Sequence, residues 1–129
     1  MIERLWIAFA ALSGAAAVAA DAAARHLLGG DASRPDLAAI GARYGLIHAM
    51  SLLGVAILSS GAKGRWRRRW LGVAGWCFAG GLLLFPGSLY ALAGGAPAAM
   101  ARLAPWGGTL FIVGWLALLA AALLPEPAE

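Results

Sequence analysis

Four long apolar stretches, at about residues 5–24, 38–59, 70–93 and 104–124, organise the whole chain. A helix needs about 20 mostly apolar residues to cross a hydrocarbon layer about 30 Å thick, and each stretch meets that length. Backbone groups in lipid must be satisfied within their own segment, so these stretches predict helices, and no ten-residue alternation suggests a barrel. The connections are short, which predicts an all-α, antiparallel, up-down four-helix membrane bundle forming one domain.

The boundaries carry their own chemistry. Asp21 and Arg25 are four apart at the end of the first span, a spacing that predicts an ion pair along one face. Gly29-Gly30 follow. Ser33-Arg34-Pro35-Asp36 reads as a helix start, with a capping serine, a first-turn proline and an acid three residues on. Gly61 to Gly64 separate spans two and three, Gly94-Gly95-Ala96-Pro97 follow the third, and Pro125 and Pro127 end the chain.

Composition narrows the class further. The 129 residues are 62% apolar and 12% charged, with a mean hydropathy of +0.79. Soluble domains carry about a quarter charged residues, so this chain cannot cover a soluble globule. Disorder, collagen, coiled coil and, with one cysteine, a disulfide scaffold are excluded with it.

The net charge of +4 is unevenly placed. Lys63, Arg65, Arg67, Arg68 and Arg69 crowd the connection between spans two and three, joined on that side by Arg4. Arg25, Arg34, Arg43 and Arg102 lie on the other side, diluted by Asp21, Asp31 and Asp36. The positive-inside rule therefore predicts that both termini and the 63–69 segment are cytoplasmic. Read alone, the run from Gly61 to Trp70 would suggest nucleic acid. Between two spans it reads as an anchor on anionic headgroups, with tryptophans in the interfacial belt and no nucleic-acid partner. Met1-Ile2-Glu3-Arg4 and Val18-Ala19-Ala20 resemble a signal peptide, but the segment is read as a retained first span.

Polar residues predicted at membrane depth fall toward the outer side. They are His26 at the end of span one, Tyr44 and His48 one turn apart in span two, and Ser88 and Tyr90 near the end of span three. Ser88 stands about 27 Å from Trp70 at 1.5 Å per residue. Together they predict either an interhelical hydrogen-bond cluster that sets packing or the lining of a small pocket. Pro86 deprives the Leu82 carbonyl of its helical partner, and Ser88, Tyr90, Tyr44 and His48 are the donors at hand. Pro86-Gly87 and Pro105, Gly107 and Gly108 read as helix breaks and turns.

Catalysis has little support. No Gly-x-Ser-x-Gly, phosphate loop or dinucleotide fingerprint is present, and the serines lack an acid–base pair. Two histidines could ligate haem axially or hold half a metal site, but no Cys-x-x-Cys-His, Glu-x-x-His or cysteine pair accompanies them, so no metal or cofactor is expected. Cys77 reads as a packing residue. Small faces are abundant: Gly41-x-x-x-Gly45, Ala16/Ala20/Ala24, Gly80-Gly81, Gly75-Trp76 and Gly114-Trp115 permit close helix approach within the chain, in a homo-oligomer, or with another membrane protein.

At these residues the chain resembles a known family, the small four-span proteins of domain-of-unknown-function family 423, which includes the bacterial YgdD proteins and vertebrate transmembrane protein 256. The resemblance covers nearly the whole chain. Ala11-Leu12-Ser13-Gly14-Ala15, Val18 and His26 match the first span, and Tyr44 to Met50 resembles a Tyr-x-x-x-His-Ala-Leu motif. Phe85-Pro86-Gly87-Ser88-Leu89-Tyr90 resembles Phe-Ser-Gly-Ser-Leu-Tyr. Pro105-Trp106-Gly107-Gly108 and Gly114-Trp115 resemble Pro-x-Gly-Gly and Gly-Trp. Asp21 to Arg25 depart from a Gly-Ala-Phe-Gly-Ala run, and Pro86 stands for a serine. The resemblance implies a four-span protein of the bacterial inner membrane and supplies no activity. The expected role is a structural or interaction protein, against two alternatives: a ligand-binding or transport protein using the outer pocket, or an accessory subunit of a haem or quinone enzyme.

Overall fold

The Ala-, Leu- and Gly-rich runs leave the backbone only its own amides as partners in lipid; the first three runs lie inside longer helices and the fourth matches its helix to within a residue. A computed structural model describes residues 1–26 and 33–124. Its helices are α1 (Ile2–His26), α2 (Ser33–Gly61), α3 (Arg65–Ala93) and α4 (Leu103–Leu123), with a short 3₁₀ turn over Ala98–Arg102 before the last. All four are long and apolar enough to cross a membrane. Gly29-Gly30, the side chain of Ser33 on which the predicted cap depends, and Pro125 and Pro127 lie outside the described residues.

The helices form an antiparallel bundle built from chain neighbours: α1 packs on α2, α2 on α3, and α3 on α4. Contact between α1 and α3 is slight, and α2 and α4 do not pack along their length. The core runs through Trp6 and Ala10 of α1, Leu52 and Val55 of α2, Leu71, Ala74 and Phe78 of α3, and Phe111 and Ala117 of α4. Large apolar side chains such as Leu12, Ile57, Leu83 and Leu123 point outward. In a chain with this much hydrocarbon, that outward face is the lipid face.

Glycine notches seat the aromatic side chains of neighbouring helices. A methyl group added to Gly75 would strike Trp6, at Gly114 it would strike Phe78, at Gly81 Phe111, and at Gly41 Tyr90. Each notch replaces side-chain volume by close backbone approach, the main source of packing energy between helices in lipid. On α1 the buried small face is Ala10, Ala17 and Ala24. Ala16, predicted on the packing face, is exposed, because a seven-residue spacing keeps the stripe aligned with one neighbour.

Two sequence expectations are corrected. Pro86 and Gly87 do not break α3, which continues to Ala93. Proline is tolerated inside a membrane helix where neighbours accommodate the freed backbone. Pro105, Gly107 and Gly108 likewise lie within α4, with Pro105 in its first turn where a missing N–H costs little. Gly107 is instead the point of closest approach between α3 and α4: a Cβ there would land on the Phe85 backbone. The true end of α3 is the predicted glycine pair. Gly95 takes φ 91°, Gly95 N–H donates to the Leu92 carbonyl, and Ala96 N–H reaches back to that of Ala91 at 2.9 Å, a Schellman closure.

Candidate functional site

The polar residues of the spans do not form one cluster; helix facing divides them. Tyr44 and His48, one turn apart on α2, turn toward α4. The imidazole of His48 stacks on Phe111, with ring centroids 3.5 Å apart and planes within 8°. Trp115 Nε1 donates to His48 Nε2 at 3.3 Å. An indole N–H can only donate, so Nε2 is the acceptor and the ring proton sits on Nδ1. That Nδ1–H donates in turn to the Tyr44 carbonyl at 2.8 Å. The imidazole is thus neutral, and both nitrogens are engaged.

The rest of this environment is aromatic. Phe78 stands 5.9 Å from the His48 ring and 5.4 Å from Trp115. Phe85 lies 5.0 Å from Tyr44. Phe111 is held between His48 of α2 and the Gly81 notch of α3, so one ring joins three helices. His48 is 5% exposed, and with Ser88 it is one of two buried polar side chains among the described residues. It lies fifteen residues after Ser33 and thirteen before Gly61, about 20 Å from either end of α2 at 1.5 Å per residue. That is midway along α2, which begins at the predicted Ser33–Asp36 start.

Beside the imidazole a cleft of about 450 Å³ opens outward, bounded by Tyr44, Ile47, Phe85, Ile112 and Trp115. The Tyr44 side chain is half-exposed at its edge.

Tyr90 faces the other way. Its ring lies in the notch made by Gly41 and Gly45, bordering a smaller groove of about 200 Å³ with Ser13 and Pro86. Among the described residues its buried hydroxyl has no hydrogen-bond partner. Ser88 donates to the Phe85 carbonyl at 2.9 Å, within its own helix. His48 and Ser88 therefore donate elsewhere, and among the described residues none of the four predicted donors is hydrogen-bonded to the Leu82 carbonyl. His26 ends α1 exposed, with no hydrogen bond or ring contact to the other four among the described residues. Asp21 and Arg25 form the predicted pair, Oδ2 to Nε at 3.0 Å.

A buried, unsatisfied hydroxyl costs about 1–3 kcal/mol. Tyr90→Phe keeps the ring in its glycine notch and removes that penalty. Thermal unfolding in detergent is expected to show an unchanged or raised midpoint, and a fall would mean that the hydroxyl has a partner in lipid.

Of the basic residues of the 63–69 segment only Lys63 lies in the connection; Arg65, Arg67, Arg68 and Arg69 lie on helix. α3 begins at Arg65, not near Trp70, since arginine is a good helix former and nothing after Gly64 breaks the backbone. Lys63, Arg65, Arg68 and Arg69 line one cavity of about 370 Å³, while Arg67 is half-buried and lies on another face. The guanidinium groups of Arg65 and Arg69 stand 5.6 and 5.1 Å from the Trp66 ring centre.

Sequence reading identified His48 and Tyr44 but missed Trp115, Phe111 and Phe78 as their partners. In sequence the Gly114-Trp115 pair signals only packing. Nothing in one sequence gives the rotation of α4 about its axis, which decides where Trp115 points.

Four apolar helices around a satisfied midspan histidine define a small polytopic membrane protein. The chain matches the model of the family described as protein of unknown function (DUF423) over residues 20–108, and it belongs to that family. A UPF0382 membrane protein of Haemophilus influenzae is 38% identical over 119 residues, covering 91% of this chain and 92% of that protein. The inner membrane protein YgdD of Escherichia coli K12 is 33% identical over 125 residues, covering 95% and 92%. The membrane protein YwdK of Bacillus subtilis is 34% identical over 82 residues. No solved structure matches.

Proposed function

We propose that the protein is a non-catalytic structural and interaction protein of the bacterial inner membrane, with both termini cytoplasmic and the 63–69 segment anchored on anionic headgroups. The observation that carries this reading is the closed network at His48. With Nδ1 given to the Tyr44 carbonyl and Nε2 accepting from Trp115, the imidazole has no free position for a metal, haem or proton relay. Ligation would first have to break the Trp115 bond. Among the described residues no group of three or more His, Cys, Asp or Glu side chains could hold a metal. The membrane assignment of YgdD supports the compartment, and the excess of basic residues on one side supports the orientation. The exposed apolar surface, Ala16 of α1 included, leaves room for a second copy or another membrane protein as partner.

Trp115→Phe tests the reading, since it keeps the ring and deletes the N–H. The expected result is a lower unfolding midpoint in detergent, worth about 0.6–1.5 kcal/mol, with an unchanged set of small molecules extracted from native membranes. A variant that melts normally but loses a co-purifying molecule would overturn it. The second reading, a ligand site, draws on the apolar cleft beside His48 and the half-exposed Tyr44 at its edge. Under it, Tyr44→Phe would release such a molecule while leaving stability intact.

A further inference from the structure

The α3 N-terminus carries more than a diffuse basic surface. We infer that it forms a site for a phospholipid whose headgroup bears two phosphodiesters, with Lys63, Arg65, Arg68 and Arg69 holding the phosphates and the groove between α1 and α3 taking an acyl chain. This inference rests on the headgroup-anchoring part of the reading above and gives it a ligand class.

The cations are placed for it. At i, i+3 and i+4, Arg65, Arg68 and Arg69 share one face of α3, and Lys63 closes the same cavity. Trp66 lies under both Arg65 and Arg69, which limits the freedom two guanidinium groups lose on binding. Among the described residues no carboxylate lies within ion-pair distance of Arg65, Arg68 or Arg69. Glu3, whose carboxylate feels the charge of Arg68 weakly, pairs with the N-terminal ammonium at 3.0 Å. Gly64 supplies no side-chain cap to the first amides of α3, and its first turn holds no acid. The positive end of the helix dipole therefore adds to the cluster rather than being answered within it. Counting the three arginines alone, one phosphodiester neutralises one charge of three, whereas two neutralise most of it and suit the forked geometry of arginine.

The second observation distinguishes a lipid from a free phosphate. α3 has 29 residues, about 43 Å of helix against about 30 Å of hydrocarbon, so its first turns overshoot into the headgroup layer. Below Arg65 and Arg69 the same face continues through Val73, Trp76 and Leu83, all exposed and apolar. Trp76, Ala79 and Leu83 of α3, with Ile2 and Leu5 of α1, border an apolar groove of about 180 Å³. Charge at the interface and an apolar track beneath it match the two ends of one lipid.

The test is retention and thermal stabilisation of the full chain in nanodiscs holding phosphatidylcholine plus either tetraoleoyl cardiolipin or charge-matched phosphatidylglycerol. A third arm adds inorganic pyrophosphate without anionic lipid. Cardiolipin is expected to raise the unfolding midpoint most and to be retained in native mass spectrometry. Arg65→Gln/Arg69→Gln should weaken its binding about thirtyfold, at roughly fivefold per basic residue. The charge-matched control Arg43→Gln/Arg102→Gln should leave it unchanged. Equal response to the two anionic lipids would overturn the two-phosphate site while leaving headgroup anchoring intact, and no preference over phosphatidylcholine would overturn both. Stabilisation by pyrophosphate equal to that by cardiolipin would overturn the lipid assignment in favour of a soluble diphosphate.

Discussion

Gly107→Leu is expected to part α3 from α4 and abolish a cooperative unfolding transition in detergent. No side chain can be accommodated at this position, because even a methyl group would land on the Phe85 backbone rather than on a movable side chain. Overpacking a well-filled core costs about 1–3 kcal/mol when side chains can yield, and a clash with backbone must exceed that range. The same substitution also disturbs the segment around Pro86, where the helix already lacks one hydrogen bond. Gly72→Ala is the matched control: nothing lies within 4 Å of a methyl group there, and removing a mid-helix glycine favours the helix by up to about 1 kcal/mol. Circular dichroism melts of the two variants should move in opposite directions. A Gly107→Leu protein melting like the parent would contradict the close approach of α3 and α4.

The contrast between these two glycines also marks how far the sequence could be read. Four spans, their order and the Gly94-Gly95 stop are legible because hydrocarbon thickness and backbone satisfaction act locally. The Asp21–Arg25 pair is legible for the same reason, since a spacing of four on one helix fixes its own geometry. Which glycine is a notch and which is idle is not legible. Gly72 and Gly75 have similar surroundings in sequence, yet only Gly75 receives Trp6. That choice depends on the rotation of each helix about its axis, which weakly amphipathic membrane helices leave unspecified. The same ambiguity lets Tyr90 and Tyr44 face opposite sides of α2 and α3, although the sequence predicts a shared depth for both. Depth is a one-dimensional coordinate and separates nothing that differs only in facing. Pro86 and Pro105 misled in another way: their local chemistry signals a break, while a helix in lipid has no alternative partner for a broken backbone and so continues.

His48→Ala carries the second large effect, because α2 and α4 are otherwise unpacked along their length. Truncation removes the acceptor for Trp115, the stack on Phe111 and the filling of a buried position. A neutral hydrogen bond is worth about 0.5–1.5 kcal/mol, a stacked ring pair about as much, and residual cavity adds to both. A loss of about 3 kcal/mol is expected, read as a fall in denaturation midpoint in mixed micelles. The decisive measurement is the double-mutant cycle with Trp115→Phe. Once His48 is gone the indole N–H has nothing to donate to, so deleting it should cost nothing further, giving a coupling of about 0.6–1.5 kcal/mol. Additive losses would show that Trp115 acts by packing on Phe78 alone. His48→Phe sharpens the comparison, since it restores ring volume against Phe111 but offers the indole no acceptor. If it recovers most of the stability lost in His48→Ala, the histidine serves chiefly as a flat spacer between α2 and α4. If it does not, the hydrogen-bonded imidazole itself is what links α4 to α2, beside the packing of α4 on α3.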